Sequence, residues 1–159
     1  PGWDEKWEFY SKWAEKGQRY KKDLLFLVDE DTIAFNKIID GFRMPKSTPE
    51  EVKTRQEAIE NATKYATEIP FKVMETAYNS MEVMMAMAKV GIQNSLSDAG
   101  VGALCARTAV IGAYFNVRIN AKDIKDRSFA KEILFKAKGI YDQTNKLEKE
   151  MIEFIDTKI

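Results

Sequence analysis

Residues Ser95 to Asn120 read S-L-S-D-A-G-V-G-A-L-C-A-R-T-A-V-I-G-A-Y-F-N-V-R-I-N. From Ala99 to Ala113 the stretch is almost entirely small and apolar, with Gly100, Gly102 and Gly112 set among Ala99, Ala103, Ala106, Ala109 and Ala113. It is longer than a buried strand usually is, and so predicts a helix. Each glycine inside a helix costs about 1 kcal/mol relative to alanine, so three of them imply that small size is needed for close approach of other backbones. A helix that is apolar all round belongs in a core. The expectation is therefore a central helix packed on every side. Its ends are polar: Asp98 at the entry, and Asn116, Arg118 and Asn120 at the exit. Polar groups at the ends of a buried helix must be paired or must meet a ligand.

The rest of the chain sets bounds on what that helix can serve. At 159 residues it reads as one domain. Lysine plus arginine and aspartate plus glutamate are both 25, so there is no electrostatic case for nucleic acid or for an anionic membrane. The single cysteine, Cys105, cannot close an intrachain disulfide and fits a reducing, cytoplasmic setting. No signal-peptide pattern is visible. The apolar run at 99–117 is interrupted by Arg107 and rich in glycine, which makes it a poor membrane span. Histidine is absent. Triads and metal sites built on histidine are excluded, and proton transfer near neutral pH falls to a carboxylate, lysine, tyrosine or cysteine.

Upstream, residues 3–42 read as helix, either one long helix or two joined near Gly17. Trp3, Trp7 and Tyr10, and likewise Phe9, Trp13 and Tyr20, fall at helical spacing and predict a packing face. Leu24, Val28, Phe35, Ile38 and Phe42 form one apolar stripe, and Asp31 projects into its middle, while Asp29 points away toward Asn36. A carboxylate buried among apolar residues must be paired, protonated or used. Burial would raise its pKa and suit it to general acid work. The competing reading is an ion pair with a lysine or arginine of another helix.

Met44-Pro45 ends that helix, since the residue before proline is biased away from helix. Thr48-Pro49-Glu50-Glu51 starts another: Thr48 is the N-cap, Pro49 takes the first position and Glu51 closes a capping box. This helix is expected to run to about Glu68, with Pro70 kinking it or beginning the next. Met81, Met84, Met85 and Met87 read as flexible core filling. Gly91 reads as a left-handed cap, Ile92 to Asn94 as a loop, and Ser95 or Ser97 as the next N-cap, with Asp98 suiting the helix dipole. Asp126 or Ser128 caps a last helix from Phe129 to about Asp156, buried along Ile133, Ala137, Ile140, Thr144, Leu147, Met151 and Phe154 or Ile155. No segment alternates with period two. The expected fold is all-α: residues 1–159 as one antiparallel bundle of about five helices around the small-residue helix.

Four stretches taken together resemble one family of folate enzymes, the cyclodeaminase/cyclohydrolase family typified by the C-terminal domain of formimidoyltransferase-cyclodeaminase. They are V-D-E-D-T-I-A-F at Val28–Phe35, P-K-S-T-P-E-E at Pro45–Glu51, S-D-A-G-V-G at Ser97–Gly102 and G-A-Y-F-N-V-R-I-N at Gly112–Asn120. The resemblance covers roughly residues 20–135 and keeps the family's order. It implies an all-helical domain that dimerises, with tetrahydrofolate bound in a cleft involving both subunits and no metal. It implies an ammonia-lyase activity, converting 5-formimino-tetrahydrofolate to 5,10-methenyl-tetrahydrofolate, and a formimidoyltransferase domain or subunit as companion. The family's proton donor is an aspartate of the V-D-x-D stretch, and the helical wheel selects Asp31 for it. Asp29, Asp98, Asn116 and Asn120 are then expected to hold the substrate by hydrogen bonds, and Arg118 to pair with a substrate carboxylate. Family members carry a P-G-G-G-S loop and a small-residue helix before the long helix. Pro1-Gly2 is not that loop, so the domain reads as lacking both. Two rival functions follow: a methenyl-tetrahydrofolate cyclohydrolase, and a non-catalytic helical oligomerisation module.

Overall fold

Leu27, Ala34 and Gly41 recur every seven residues and are the buried seam of the first helix, the spacing at which one side of a helix meets a partner. The computed structural model describes residues 4–159, so the expectations for Pro1, Gly2 and Trp3 lie outside the described residues. A short 3-10 turn, Asp4–Lys6, leads into α1 (Trp7–Arg43). Then come α2 (Pro49–Val90), a second 3-10 turn (Gln93–Ser95), α3 (Leu96–Asn120) and α4 (Arg127–Asp156). No strand is present among the described residues. Helix α2 is the hub and packs against each of the other three, while α3 also packs on α4.

Four helices stand where about five were expected, because neither Gly17 nor Pro70 interrupts its helix. Pro70 has no N–H to give the carbonyl of Ala66, four residues back. The Asn120 side-chain amide supplies that donor instead, at 2.7 Å from the Ala66 oxygen. A third helix thus repairs the gap, and α2 runs through 42 residues.

The ends of the helices follow their local chemistry. At α2 the capping box is complete: Glu51 N–H donates to Thr48 Oγ1 at 3.2 Å, and Thr48 N–H donates to the Glu51 carboxylate at 3.1 Å. At α4 the Asp126 carboxylate accepts from the amides of Ser128 and Phe129. Ser95 precedes α3 but makes no side-chain cap bond. Gly91 departs from expectation. Its φ is −76° and ψ −171°, extended rather than left-handed. Space, not handedness, requires glycine there, since a Cβ would sit 2.4 Å from the Met87 carbonyl oxygen.

The main core joins Met74 and Ala77 of α2, Val110, Ala113 and Val117 of α3, and Ile133 and Ala137 of α4. The α4 stripe is buried as its spacing predicts, through Ile133, Ala137, Thr144, Met151 and Ile155, with Ile140 and Leu147 half-buried. The small-residue helix is not enclosed. Ala103, Ala106, Val110, Ala113 and Val117 face inward. Val101, Leu104, Phe115 and Ile119 are about half exposed or more, and Cys105 is exposed beside them. The glycines divide in the same way. A Cβ on Gly100 would come within 3.1 Å of the Ile155 side chain, whereas one on Gly112 would meet nothing within 4 Å. Residues Gln93–Asn120 are long and apolar enough to cross a membrane by length and composition, and here their inner face is taken up by α2 and α4. The aromatic face of α1 is likewise only partly used, for Trp7 is 74% exposed and Phe9 43%.

Charged and polar groups clasp the turn between α3 and α4. The Glu60 carboxylate of α2 accepts from the backbone amides of Lys125 and Asp126, both at 3.0 Å. Lys64, one turn on, donates to Asp126 at 2.8 Å.

Candidate functional site

The expected site residues lie at two levels of the bundle. Asp98 is in the first turn of α3 and Asn116 is 18 residues further on. At about 100° per residue these two share one stripe of the helix, but at 1.5 Å per residue they are about 27 Å apart along it. Asn120 lies near the same stripe. Arg118 stands about 200° around from Asn116, with its guanidinium 5.5 Å from the centre of the Tyr114 ring. On α1, Asp29 and Asp31 are both exposed and diverge by the same angle.

The level of Asp31 is fixed by its neighbour. Glu30 accepts a hydrogen bond from the Tyr65 hydroxyl of α2, and Lys37 stands 4.1 Å over the Tyr65 ring. That hydrogen bond, helped by burial, pushes the Tyr65 hydroxyl above its ordinary pKa. Tyr65 adjoins Ala66, whose carbonyl receives Asn120. Asp31 therefore sits level with the end of α3, where Asn116 and Asn120 are, with α2 between. Glu30, to which sequence reading gave no part, is the carboxylate of V-D-E-D that faces the bundle.

Asp31 does stand in the predicted stripe, but the stripe is open. Val28 is 64% exposed, Phe35 61% and Phe42 55%, and only Leu24 and Ile38 at its edge are half-buried. The buried surroundings on which the sequence argument relied are not formed by this chain. The seam facing α2 is Leu27, Ala34 and Gly41 instead. Leu25, Phe26 and Ile33 add to the exposed apolar surface of α1.

Asp98 belongs to a different place, a cavity of about 560 Å³ between the first half of α1, the end of α2 and the start of α3. Trp13, Val83, Met84 and Met87 line it, with Gly17 opening one side and Ser95 and Asp98 at the α3 edge. Beside it, Tyr20 donates to the Glu82 carboxylate, which also pairs with Lys16 at 2.6 Å. Burial and the Glu82 hydrogen bond push the Tyr20 hydroxyl up to about 12. Burial alone would raise the Glu82 carboxyl, but Lys16 and Tyr20 together hold it below its usual range. Sequence reading assigned Trp13, Met84 and Met87 to the core. The signal that separates them from it is a pair of methionines three residues apart on α2, facing a glycine and a tryptophan four residues apart on α1. Among the described residues, Asp29, Asp31 and Asp98 have no hydrogen-bond or ion-pair partner within the chain, and no cluster of three or more carboxylates and cysteines fit to hold a metal is present.

Known proteins share this architecture. A family described as Formiminotransferase-cyclodeaminase matches residues 2–139. The methenyltetrahydrofolate cyclohydrolase of Methylorubrum extorquens is 30% identical over 145 residues, covering 91% of this chain and 70% of its own length. The formimidoyltransferase-cyclodeaminase of Gallus gallus is 39% identical over 110 residues, 69% of this chain but 20% of that protein. A crystal structure of formiminotetrahydrofolate cyclodeaminase from Thermotoga maritima has the same fold, with TM-score 0.75, 23% identity, and coverage of 88% of this chain and 66% of that one. The chain thus spans two thirds or so of its single-function relatives and a fifth of the bifunctional one. With a family match over most of its length and the motifs in order, the chain belongs to the formiminotransferase-cyclodeaminase family.

Proposed function

We propose that this chain is the folate-processing domain of a formimidoyltetrahydrofolate cyclodeaminase. The observation that carries the reading is Asp31, an unpartnered carboxylate ringed by the exposed apolar side chains Val28 and Phe35, level with Asn116 and Asn120. A carboxylate in such a setting becomes a general acid once the apolar face around it is covered.

The reaction closes a ring and then expels ammonia. N10 of the folate attacks the formimino carbon carried by N5, so that a carbon–N10 bond forms. Holding the two groups together supplies much of the rate. The former imine nitrogen takes two protons, one released by N10 as it attacks and one from Asp31. It leaves as ammonia with the electron pair of its bond to carbon, and the bridge between N5 and N10 becomes the methenyl cation. Asn116 offers hydrogen bonds to the pterin or bridge, and Asn120 offers its side-chain oxygen, its amide being held by Ala66. Arg118, on the other flank of α3, is the group assigned in this reading to the carboxylates of the substrate tail. Asp29 faces away from Asp31, so one folate molecule engages only one of the two.

A second copy of the chain is the occupant proposed for the outer face of α3. That face runs through Val101, Leu104, Thr108, Gly112, Phe115 and Ile119. Antiparallel packing about its small middle would carry Asp98 of each copy to the Asn116 end of the other. This would join in one cleft residues that a single chain keeps about 27 Å apart. A cytoplasmic location and a formimidoyltransferase as companion belong to the same reading.

The cyclohydrolase reading is favoured by one finding, that a relative covered over 70% of its length is a methenyltetrahydrofolate cyclohydrolase. Assays of purified protein with 5-formimino-tetrahydrofolate, scored for ammonia release, and with 5,10-methenyl-tetrahydrofolate separate the two. Asp31→Asn is expected to lower turnover at least 100-fold, the smaller end of general acid effects, while folate binding persists. Unchanged turnover would remove Asp31 from the mechanism, and a chain that binds no folate would be an oligomerisation module.

A further inference from the structure

We infer that Tyr65 is a positioning residue for Asp31: its hydroxyl bond to Glu30 and the Lys37 ammonium over its ring hold α1 at one rotation about its axis, and so set where Asp31 points. The role rests on the reading of Asp31 as the general acid given above. Glu30 and Lys37 are seven residues apart, so they stand on one side of α1, about 10 Å from each other along it. Tyr65 of α2 bridges that interval. Its hydroxyl donates to the Glu30 carboxylate, and its ring centre lies 4.1 Å from Lys37 Nζ. A cation over the ring and a charged acceptor at its tip fix the side chain at both ends.

The apolar seam beside this bridge sets the distance between α1 and α2 more firmly than the rotation of α1. Of its buried residues Leu27, Ala34 and Gly41, only Leu27 has a bulky side chain to interlock with α2, with Ile38 half-buried beside them. Gly41 lets the two helices come close, for a Cβ there would be 3.0 Å from the Ile59 side chain. The other apolar stripe of α1, with Val28 and Phe35, is open. Among the described residues, the nearest other side-chain bonds between α1 and α2 are at Tyr20 and Phe42, about 15 Å and 18 Å from Glu30 along the helix. The bridge also meets α2 where α3 is tied to it, since Ala66, next in the chain, accepts Asn120. Tyr65 and Ala66 thus hold α1 and α3 to one turn of α2, at the level of Asp31, Asn116 and Asn120. Asp31 follows Glu30 at about 100° around α1. A carboxylate about 5–6 Å from a helix axis moves about 2 Å when the helix turns by about 20°. A misplacement of about 1 Å can cost about 100-fold in rate.

The test uses the full 159-residue chain and whichever of 5-formimino- and 5,10-methenyl-tetrahydrofolate the wild type turns over. It measures kcat and KM, with hydrogen exchange of the amides of residues 27–37 alongside. Tyr65→Phe and Glu30→Ala are each expected to lower kcat about tenfold or more with KM within about twofold, and to speed exchange in that segment. Glu30→Gln, whose amide oxygen still accepts the Tyr65 hydroxyl, should keep kcat within about threefold of wild type. Combined with Asp31→Asn, Tyr65→Phe should slow turnover no further, because it acts through that residue. Unchanged kcat in Tyr65→Phe and Glu30→Ala overturns the inference even where exchange rises, as a merely structural bond would give that result. A raised KM with kcat kept overturns it too, and so do losses that multiply with Asp31→Asn. In each of these cases a wild type that turns over folate leaves the folate reading standing. If exchange responds as described but the wild type turns over neither substrate, the bridge between α1 and α2 stands, while the folate reading fails and takes the positioning role with it.

Discussion

The two ends of the bundle are built differently. At one end, α2 holds its neighbours through polar bonds: Asn120 to Ala66, Glu60 to the amides of Lys125 and Asp126, and Lys64 to Asp126. At the other, Tyr20 and Lys16 tie α1 to Glu82 of α2, but α1, α2 and α3 part around a cavity with apolar walls. The first end spends its hydrogen-bonding groups on closing the fold. The second keeps a carboxylate and several apolar side chains uncommitted. Polar residues at a helix end are therefore not interchangeable as evidence for a site. Asn120 is accounted for by a proline in another helix, whereas Asp98 has no hydrogen-bond or ion-pair partner among the described residues and answers only to the dipole of α3.

The contrast can be broken by mutation within α3. Asn120→Ala leaves the Ala66 carbonyl without a donor beside Pro70 and is expected to cost about 1–3 kcal/mol, the penalty of an unsatisfied buried group. Asn116→Ala, at an exposed position without a partner, should stay within about 0.5 kcal/mol. Urea denaturation of both variants measures the difference, and equal losses would mean that the α2 repair is not made by Asn120.

Acid should act mainly on the α3–α4 turn, which has two lowered carboxyls against Glu82 alone at the cavity end, and alkali should act on Tyr20. Lys64 and the Phe129 amide hold the Asp126 carboxyl low. Burial would raise Glu60, but the amides of Asp126 and Lys125 together lower it. Both carboxyls contribute stability above their unfolded pKa values, and it is lost as pH falls through the lower folded ones. Tyr20 has the opposite sign. Its contribution is complete below the ordinary tyrosine pKa near 10 and is lost as pH rises toward about 12. Hydrogen exchange should show the α3–α4 turn loosening first on acidification, and the Tyr20 region of α1 loosening first in alkali. The reverse order would invert the comparison.

The smallest effect sharpens the two faces of α3. Gly112→Ala places a methyl group in open space and should stabilise the isolated chain by up to about 1 kcal/mol through helix propensity. Where a second copy covers that face, the gain should shrink or reverse as concentration rises. A gain independent of concentration would argue against covering at Gly112.

Much of the fold could be read in advance. The capping box at Thr48, the proline at Met44-Pro45 and the stripe of α4 are local patterns, and each has the structure its neighbours in sequence dictate. The helix count failed at Pro70 because the donor that rescues α2 is 54 residues away, beyond any local pattern. Gly91 failed because glycine is enriched at caps for two reasons, handedness and room, and sequence does not distinguish them. Of the candidate site residues, Asp31 was singled out in sequence for its place in an apolar stripe and Asp98 for standing at the end of an apolar helix, and the structure leaves both carboxylates exposed. The cavity was not legible, because Trp13 and Met84 look the same in sequence whether they face a core or a void.

What the sequence determined by itself is the all-helical class, the helix ends with local caps, the amphipathic stripe of α4 and the family motifs, since each depends on residues a turn or two apart. What only the tertiary structure decided is which side of each stripe is covered. A helical wheel gives the relative directions of Val28, Asp31 and Phe35, or of Val101, Val110 and Phe115, but not what lies opposite them. For the stretch from Ser95 to Asn120 that difference is decisive. Its small residues allow close approach on every side, α2 and α4 occupy the inner sides, and the outer one stays open.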